Sequence, residues 1–137
     1  MKQELQQKIV EACPNVTFED HWFGFECGDG WFELLFKLFQ KLNVLGGVSI
    51  GQVKEKFAEI VVHGNGPDEM KAFIAEAKAE SRQICEQCGK PGTRGRPESP
   101  DPEFATWIRV SCTDHAGMGW RDWYRSHVGY EKTHKTV

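Results

Sequence analysis

The chain predicts an α+β fold in which a small sheet packs on two main helices and a cysteine-rich module follows on the carboxy-terminal side. Three observations carry this expectation. A nearly all-apolar helical stretch runs from Trp31 to Asn43, and an amphipathic one runs from Pro67 to Ile84. Short runs of alternating apolar residues, the period of half-buried strands, precede and separate them. Beyond the second helix, Cys85-Glu86-Gln87-Cys88-Gly89 and Cys112-Thr113-Asp114-His115 supply four metal-ligating side chains as two spaced pairs. The 137 residues, 39% hydrophobic and 12% aromatic, suffice for one packed core and a small appendage but not for two large domains. We therefore divide the chain into a core domain over 1–84, a module over 85–128 packed on it, and a flexible tail over 129–137.

In chain order, Leu5, Ile9 and Ala12 share one side of a short amphipathic helix that Pro14 stops. From Val16 to Cys27 the alternation changes phase between Phe18 and Phe23, so two short strands or one bulged strand are expected around Asp20-His21-Trp22. Cys27-Gly28-Asp29-Gly30 turns the chain, and Asp29 is placed to cap the helix that follows. A catalytic Asp29 beside His21 and Glu26 is the alternative, discounted because a capping Asp before an apolar helix needs no chemistry. Gly46-Gly47 gives that helix a left-handed exit.

The stretch from Val48 to His63 fits strands at both ends and a helical face through Val53, Phe57, Ile60 and Val61. Two strands around a helical or bulged Lys54-Glu55-Lys56-Phe57 segment are favoured, because β-branched residues crowd both ends. Pro67 sits at the first position of the next helix, with Asp68 and Glu69 complementing its amino end. That helix carries Met70, Phe73, Ile74, Ala77, Ser81 and Ile84 on one face and runs straight into Cys85.

Two Cys two residues apart chelate one ion from a single tight turn, and Gly89 lets the backbone fold back beneath them. The alternating Thr106-Trp107-Ile108-Arg109-Val110-Ser111 reads as a strand delivering Cys112, with His115 in the turn or helix start that follows. Cys85, Cys88, Cys112 and His115 then fill a closed tetrahedral shell, which points to structural Zn²⁺ in a treble-clef or zinc-ribbon-like module. His127 or His134 is the alternative fourth ligand. A redox dithiol would sit in a βαβ pattern, and none surrounds Cys85. A catalytic ion would need an open position. The chain is thus expected to be no enzyme.

Residues 92–103, rich in Gly, Pro and Arg, read as a mobile loop carrying Arg94 and Arg96. Trp107, Trp120, Trp123 and Tyr124, interleaved with Arg121 and Arg125, make a mixed aromatic and cationic face for a partner. The net charge of −3 is uneven: residues 1–81 carry 8 basic against 13 acidic side chains, and residues 82–137 carry 9 against 7. That is too little asymmetry to require nucleic acid, although Arg94, Arg96, Arg109, Arg121 and Arg125 would serve such a contact. No signal-like start and no apolar run of membrane-spanning length is present, and five Cys with three claimed by metal suit a reducing compartment. A soluble, cytoplasmic protein without membrane contact is expected, with Cys13 and Cys27 as small buried groups.

Cys27-Gly28-Asp29-Gly30-Trp31, Gln52-Val53-Lys54-Glu55-Lys56-Phe57, Cys85-Glu86-Gln87-Cys88-Gly89-Lys90-Pro91-Gly92 and Cys112-Thr113-Asp114-His115-Ala116 together resemble small uncharacterised proteins of bacteriophage and prophage genomes. The likeness runs in order over residues 20–116. It implies a phage setting and a zinc-binding carboxy-terminal half, and it brings no activity. Those proteins follow Lys-Phe with Gly and then a Leu-Arg pair, where this chain has Ala58-Glu59-Ile60-Val61, so no role of that Arg transfers. The expectation is a phage-encoded accessory protein that binds a host protein, of the host-takeover or anti-defence type. A nucleic-acid-binding zinc module is the alternative. A metal-dependent nuclease is disfavoured because no His-Asn-His pattern or carboxylate pair adjoins the knuckle.

Overall fold

The structure is a computed structural model describing residues 1–95 and 108–115. Helix α1 (Gln3–Glu11) leads to strands β1 (Val16–Phe18) and β2 (Phe25–Glu26), and a single 3₁₀ turn (Asp29–Trp31) opens helix α2 (Phe32–Leu45). Strands β3 (Val48–Lys56) and β4 (Glu59–Asn65) form a hairpin, and helix α3 (Glu69–Ser81) follows. Strands β5 (Thr93–Gly95) and β6 (Arg109–Ser111) make a separate two-stranded sheet.

β3 is the centre of the main sheet. β4 runs antiparallel along it from Ser49 to Lys56 and so takes one whole edge. β1 and β2 must share the other edge, both parallel to β3, with Val16 opposite Val48 and Phe25 opposite Val53. The sequence reading of two short strands around Asp20-His21-Trp22 thus holds, as segments of one interrupted edge. The register of β3 against β4 shifts between Ile50 and Gln52. This bulge lets Ile50 and Val53, three residues apart, both face the core.

The helices cover one face of the sheet. Leu34, Leu35, Leu38, Phe39 and Leu42 of α2 are buried there. Phe39 stacks on Phe18 (centroids 6.0 Å apart, 7° between planes) and meets Phe25 edge-on at 5.2 Å. Strands β1 and β2 are thereby joined to α2 through aromatic contacts, each worth about 0.5–1.5 kcal/mol beyond the area buried. α3 packs beside α2, and its last residue, the fully buried Ser81, accepts from Ile60 N of β4 through Oγ at 3.1 Å. Cys13 and Cys27 are buried free thiols, as expected, and burial pushes Cys13 up to about 11.

Four local expectations are corrected. Asp29 makes no cap to α2; its Oδ1 accepts the backbone N of Lys2 at 2.8 Å, satisfying an orphan amide at the start of α1 instead. Lys54 to Phe57 is neither helical nor bulged. β3 runs on to Lys56, the bulge lies at Gly51, and Phe57-Ala58 form a two-residue turn with φ of 53° and 62°. Both residues adopt the left-handed conformation that suits a tight hairpin. α3 begins at Glu69 after Asp68, two residues beyond Pro67, and stops at Ser81. Finally, part of the expected loop over 92–103 is strand β5, and residues 96–103 lie outside the described ones.

Non-glycine residues reach this turn against steric resistance, and three hydrogen bonds hold it. Glu55 Oε2 accepts from Ala58 N at 2.8 Å, and Arg94 of β5 donates from Nε (3.1 Å) and Nη2 (2.8 Å) to Phe57 O. The Phe57 side chain is 64% exposed, so little packing is lost without it. Phe57→Gly should raise stability by about 1 kcal/mol by relieving the left-handed strain. Denaturant unfolding checks this, and a midpoint lowered by the substitution would show that the ring contributes more than the strain costs.

Candidate metal centre

The four predicted ligands converge because three short pieces of backbone are tied together. After α3, Ile84 bridges to Pro91, Cys85 N donates to Lys90 O (2.8 Å), and Gly89 N donates to Cys85 O (2.9 Å). The loop between closes tightly, with Gly89 at φ 81°. β5 then pairs with β6, Thr93 opposite Ser111 and Gly95 opposite Arg109, which carries Cys112 back to the loop. A turn with His115 N on Cys112 O at 3.1 Å points the imidazole at the same place. The expected strand before Cys112 is present over Arg109–Ser111; Ile108 is not part of it, and Thr106 and Trp107 lie outside the described residues.

The donor atoms of Cys85, Cys88, Cys112 and His115 all lie within 4.8 Å of one another. Cys88 Sγ is 3.6 Å from Cys112 Sγ, and His115 Nδ1 is 3.6 Å from Cys85 Sγ and 3.2 Å from Cys112 Sγ. A tetrahedral ion with metal–sulfur bonds of about 2.3 Å sets neighbouring sulfurs about 3.8 Å apart, and sulfur and nitrogen about 3.6 Å apart. These three pairs stand within a few tenths of an ångström of tetrahedral spacing, and the three thiols and one imidazole together form a set that could hold a metal ion. Burial raises the Cys112 thiol, but hydrogen bonds from His115 and Cys88 outweigh it and pull Cys112 down to about 6. Burial, with Cys112 and Cys85 adding to it, pushes Cys88 up to about 11.

The loop sits on the core through Glu86, the residue between the first two ligands. Glu86 is fully buried; its Oε2 accepts from Gly28 N (2.9 Å) and its carbonyl from Gly30 N (2.8 Å). Trp31 Nε1, itself in the core, donates to Ile84 O at 2.9 Å. Glycine is required on the facing loop: a Cβ on Gly30 would lie 2.6 Å from Glu86 C and Gly89 N, and one on Gly28 would overlap the Glu86 carbonyl. Burial lifts the Glu86 carboxyl well above the usual carboxylate range, Glu55 adds to this, and the Gly28 amide, the Met1 amino group and Arg109 oppose it. Arg109, 2% exposed, is itself drawn down to about 10 by burial against the pull of Cys85 and Glu86.

That burial corrects one expectation: Arg109 is an internal counter-charge and is not available to phosphates. Arg94 is exposed, but on strand β5 rather than in a loop, and two of its nitrogens are on Phe57 O. Arg96, Trp107, Trp120, Arg121, Trp123, Tyr124 and Arg125 lie outside the described residues, as do His127 and His134. Sequence reasoning missed Glu86, Gly28 and Gly30 as parts of the site. The signal was there: a Glu between two knuckle Cys faces inward when the loop rests on a core, and glycine pairs mark close backbone approach as well as turns. No family model, curated protein or solved structure matches the chain.

Gly30→Ala should therefore cost about 1–3 kcal/mol through overpacking and loosen metal retention together. Thermal melts and chelator competition would read the two effects, and a variant as stable and as tight as the parent would refute the seat. Acid should also weaken binding unevenly. Above about pH 6 Cys112 is already a thiolate and releases no proton to the ion; below it, each pH unit costs about tenfold more affinity than above. A plot of log affinity against pH that runs straight through this value would contradict the assignment.

Proposed function

We propose that the protein is a zinc-stapled binding protein, with no chemistry at the metal. The observation that carries the reading is the donor set: three thiols and an imidazole complete a tetrahedral shell and leave no position for a water or substrate. Zinc is the ion that such a set suits, and knuckle, hairpin and a final Cys-x-x-His pair favour a treble-clef or zinc-ribbon-like module. Zn²⁺ bound there contributes folding free energy directly. Residues 85–128 are read as that module on the 1–84 core.

The partner we favour is a host protein, met by a phage-encoded chain in the bacterial cytoplasm. The motif resemblance supports the setting, and five free cysteines are consistent with a reducing compartment. Among the described residues no helix is long and apolar enough to cross a membrane. Phe57, exposed at a turn locked by Arg94, has the character of an aromatic anchor, to which the Trp and Tyr residues after position 106 would add. The nucleic-acid reading loses Arg109 to the interior and keeps no specific observation in its favour.

Two measurements test this. The purified protein should hold one zinc per chain by elemental analysis, and Cys88→Ala should lose it. Tagged, metal-loaded protein incubated with bacterial lysate should retain a discrete protein after nuclease treatment. Recovery that disappears with nuclease, or a metal-free protein of unchanged stability, would defeat the reading.

A further inference from the structure

The sheet face turned away from the helices carries a second feature. The edge beside β3 breaks after Glu19, whose N still donates to Ile50 O, and pairing resumes at β2. Opposite that gap β3 bulges at Gly51. The two irregularities leave an open cavity of about 340 Å³, lined by Glu19, His21, Phe23, Glu26, Gln52 and His63 together with small residues.

We propose that this cavity is a receptor for an organic cation, a ligand presenting an ammonium or guanidinium group. Its lining holds two carboxylates and no Lys or Arg. Glu19 is held in place by Ser49 Oγ on Oε1 (3.3 Å) and His21 Nε2 near Oε2 (3.2 Å), and Glu26 Oε1 accepts from Gln52 Nε2 at 3.4 Å. These are long contacts on groups with about four acceptor sites each, so capacity remains for a charged donor. The floor is kept bare. A Cβ on Gly51 would come within 2.9 Å of His21 Nε2 and closer still to the Glu19 carboxylate, so this pair lies directly over the strand at Gly51.

Phe23 completes the site. It is 81% exposed, while its neighbour Trp22 packs on Phe18 (4.7 Å) and Phe25 (5.0 Å). Gly24, at φ 95°, turns the chain so that Phe25 enters the core and Phe23 stands at the cavity rim. An aromatic face beside two carboxylates attracts a cation through its quadrupole and covers its alkyl stem. The site uses no residue of the metal centre and stands whether or not the binding role proposed above holds.

The test is a titration of ¹⁵N-labelled, metal-loaded protein with spermidine and, separately, with N-acetyl-arginine amide. Matched sodium chloride, succinate and Mn²⁺ serve as controls. Saturable shifts should centre on Gly51, Gln52, His63 and Gly64. Glu26→Gln should weaken binding by about tenfold or more and Phe23→Ala by about two- to fivefold, with the rest of the spectrum unchanged. Saturation by spermidine alone identifies a free polyamine as the ligand, and saturation by the arginine amide identifies a basic side chain of a polypeptide. Shifts that sodium chloride reproduces, preference for succinate or Mn²⁺, or equal affinity in Phe23→Ala, whose side chain is too exposed to matter for folding, would overturn the proposal.

Discussion

Two glycine-bearing loops touch backbone to backbone, and the rest of the structure depends on that contact. Gly28 and Gly30 donate to the side chain and main chain of one buried residue, Glu86. The amides of Gly28 and Gly30 find their acceptors across the contact rather than within their own turn. The approach is possible only without side chains at 28 and 30. It fixes the direction in which Cys85 and Cys88 leave the core, and hence where β6 must bring Cys112 and His115. The metal centre is in this sense an extension of the first turn of α2.

Burying Glu86 is costly, and the surroundings offset the cost in stages. Gly28 N donates to its carboxylate and Gly30 N to its carbonyl, and the Arg109 charge stands against it on strand β6, just before Cys112. Displacing the module from the core would give up the Gly28 and Gly30 hydrogen bonds to Glu86 and the Trp31 bond to Ile84 together. A metal ion held by the four ligands would add a second constraint, joining Cys85 and Cys88 to Cys112 and His115. Arg94 adds a third, linking β5 to the β3–β4 turn. Core and module thus meet at two separate points, the Glu86 seat and the Arg94 contact, and the second of these holds the backbone at the exposed Phe57.

Much of this was legible in the chain. The apolar face of α2 and the two ligand pairs are strong local patterns, because period 3.6 and Cys spacing are set by neighbours in sequence. The interrupted edge at 20–24 was visible as a phase change between Phe18 and Phe23. Other features were not legible because they are decided by distant partners. Asp29 has the look of a cap for α2, yet Lys2 N takes its carboxylate. Phe57-Ala58 lacks the Asn or Gly that marks a tight hairpin, so the sequence there suggests a helical or bulged segment instead of a turn. Arg109 is indistinguishable in sequence from a surface Arg, and only the burial of Glu86 beneath it draws it inward. The parallel pairing of β1 and β2 with β3 likewise follows from where α2 returns the chain, which no local pattern states.

The functional account rests on the metal centre being part of the fold rather than an attachment to it. Amide hydrogen exchange of the metal-loaded protein, before and after chelation, tests this most directly. The account predicts that Gly28 and Gly30 lose protection along with Cys85 and Glu86 when the ion is withdrawn, and that the Trp31 indole follows. Loss of protection confined to the cysteine loop, with Gly28, Gly30 and Trp31 as protected as before, would contradict it.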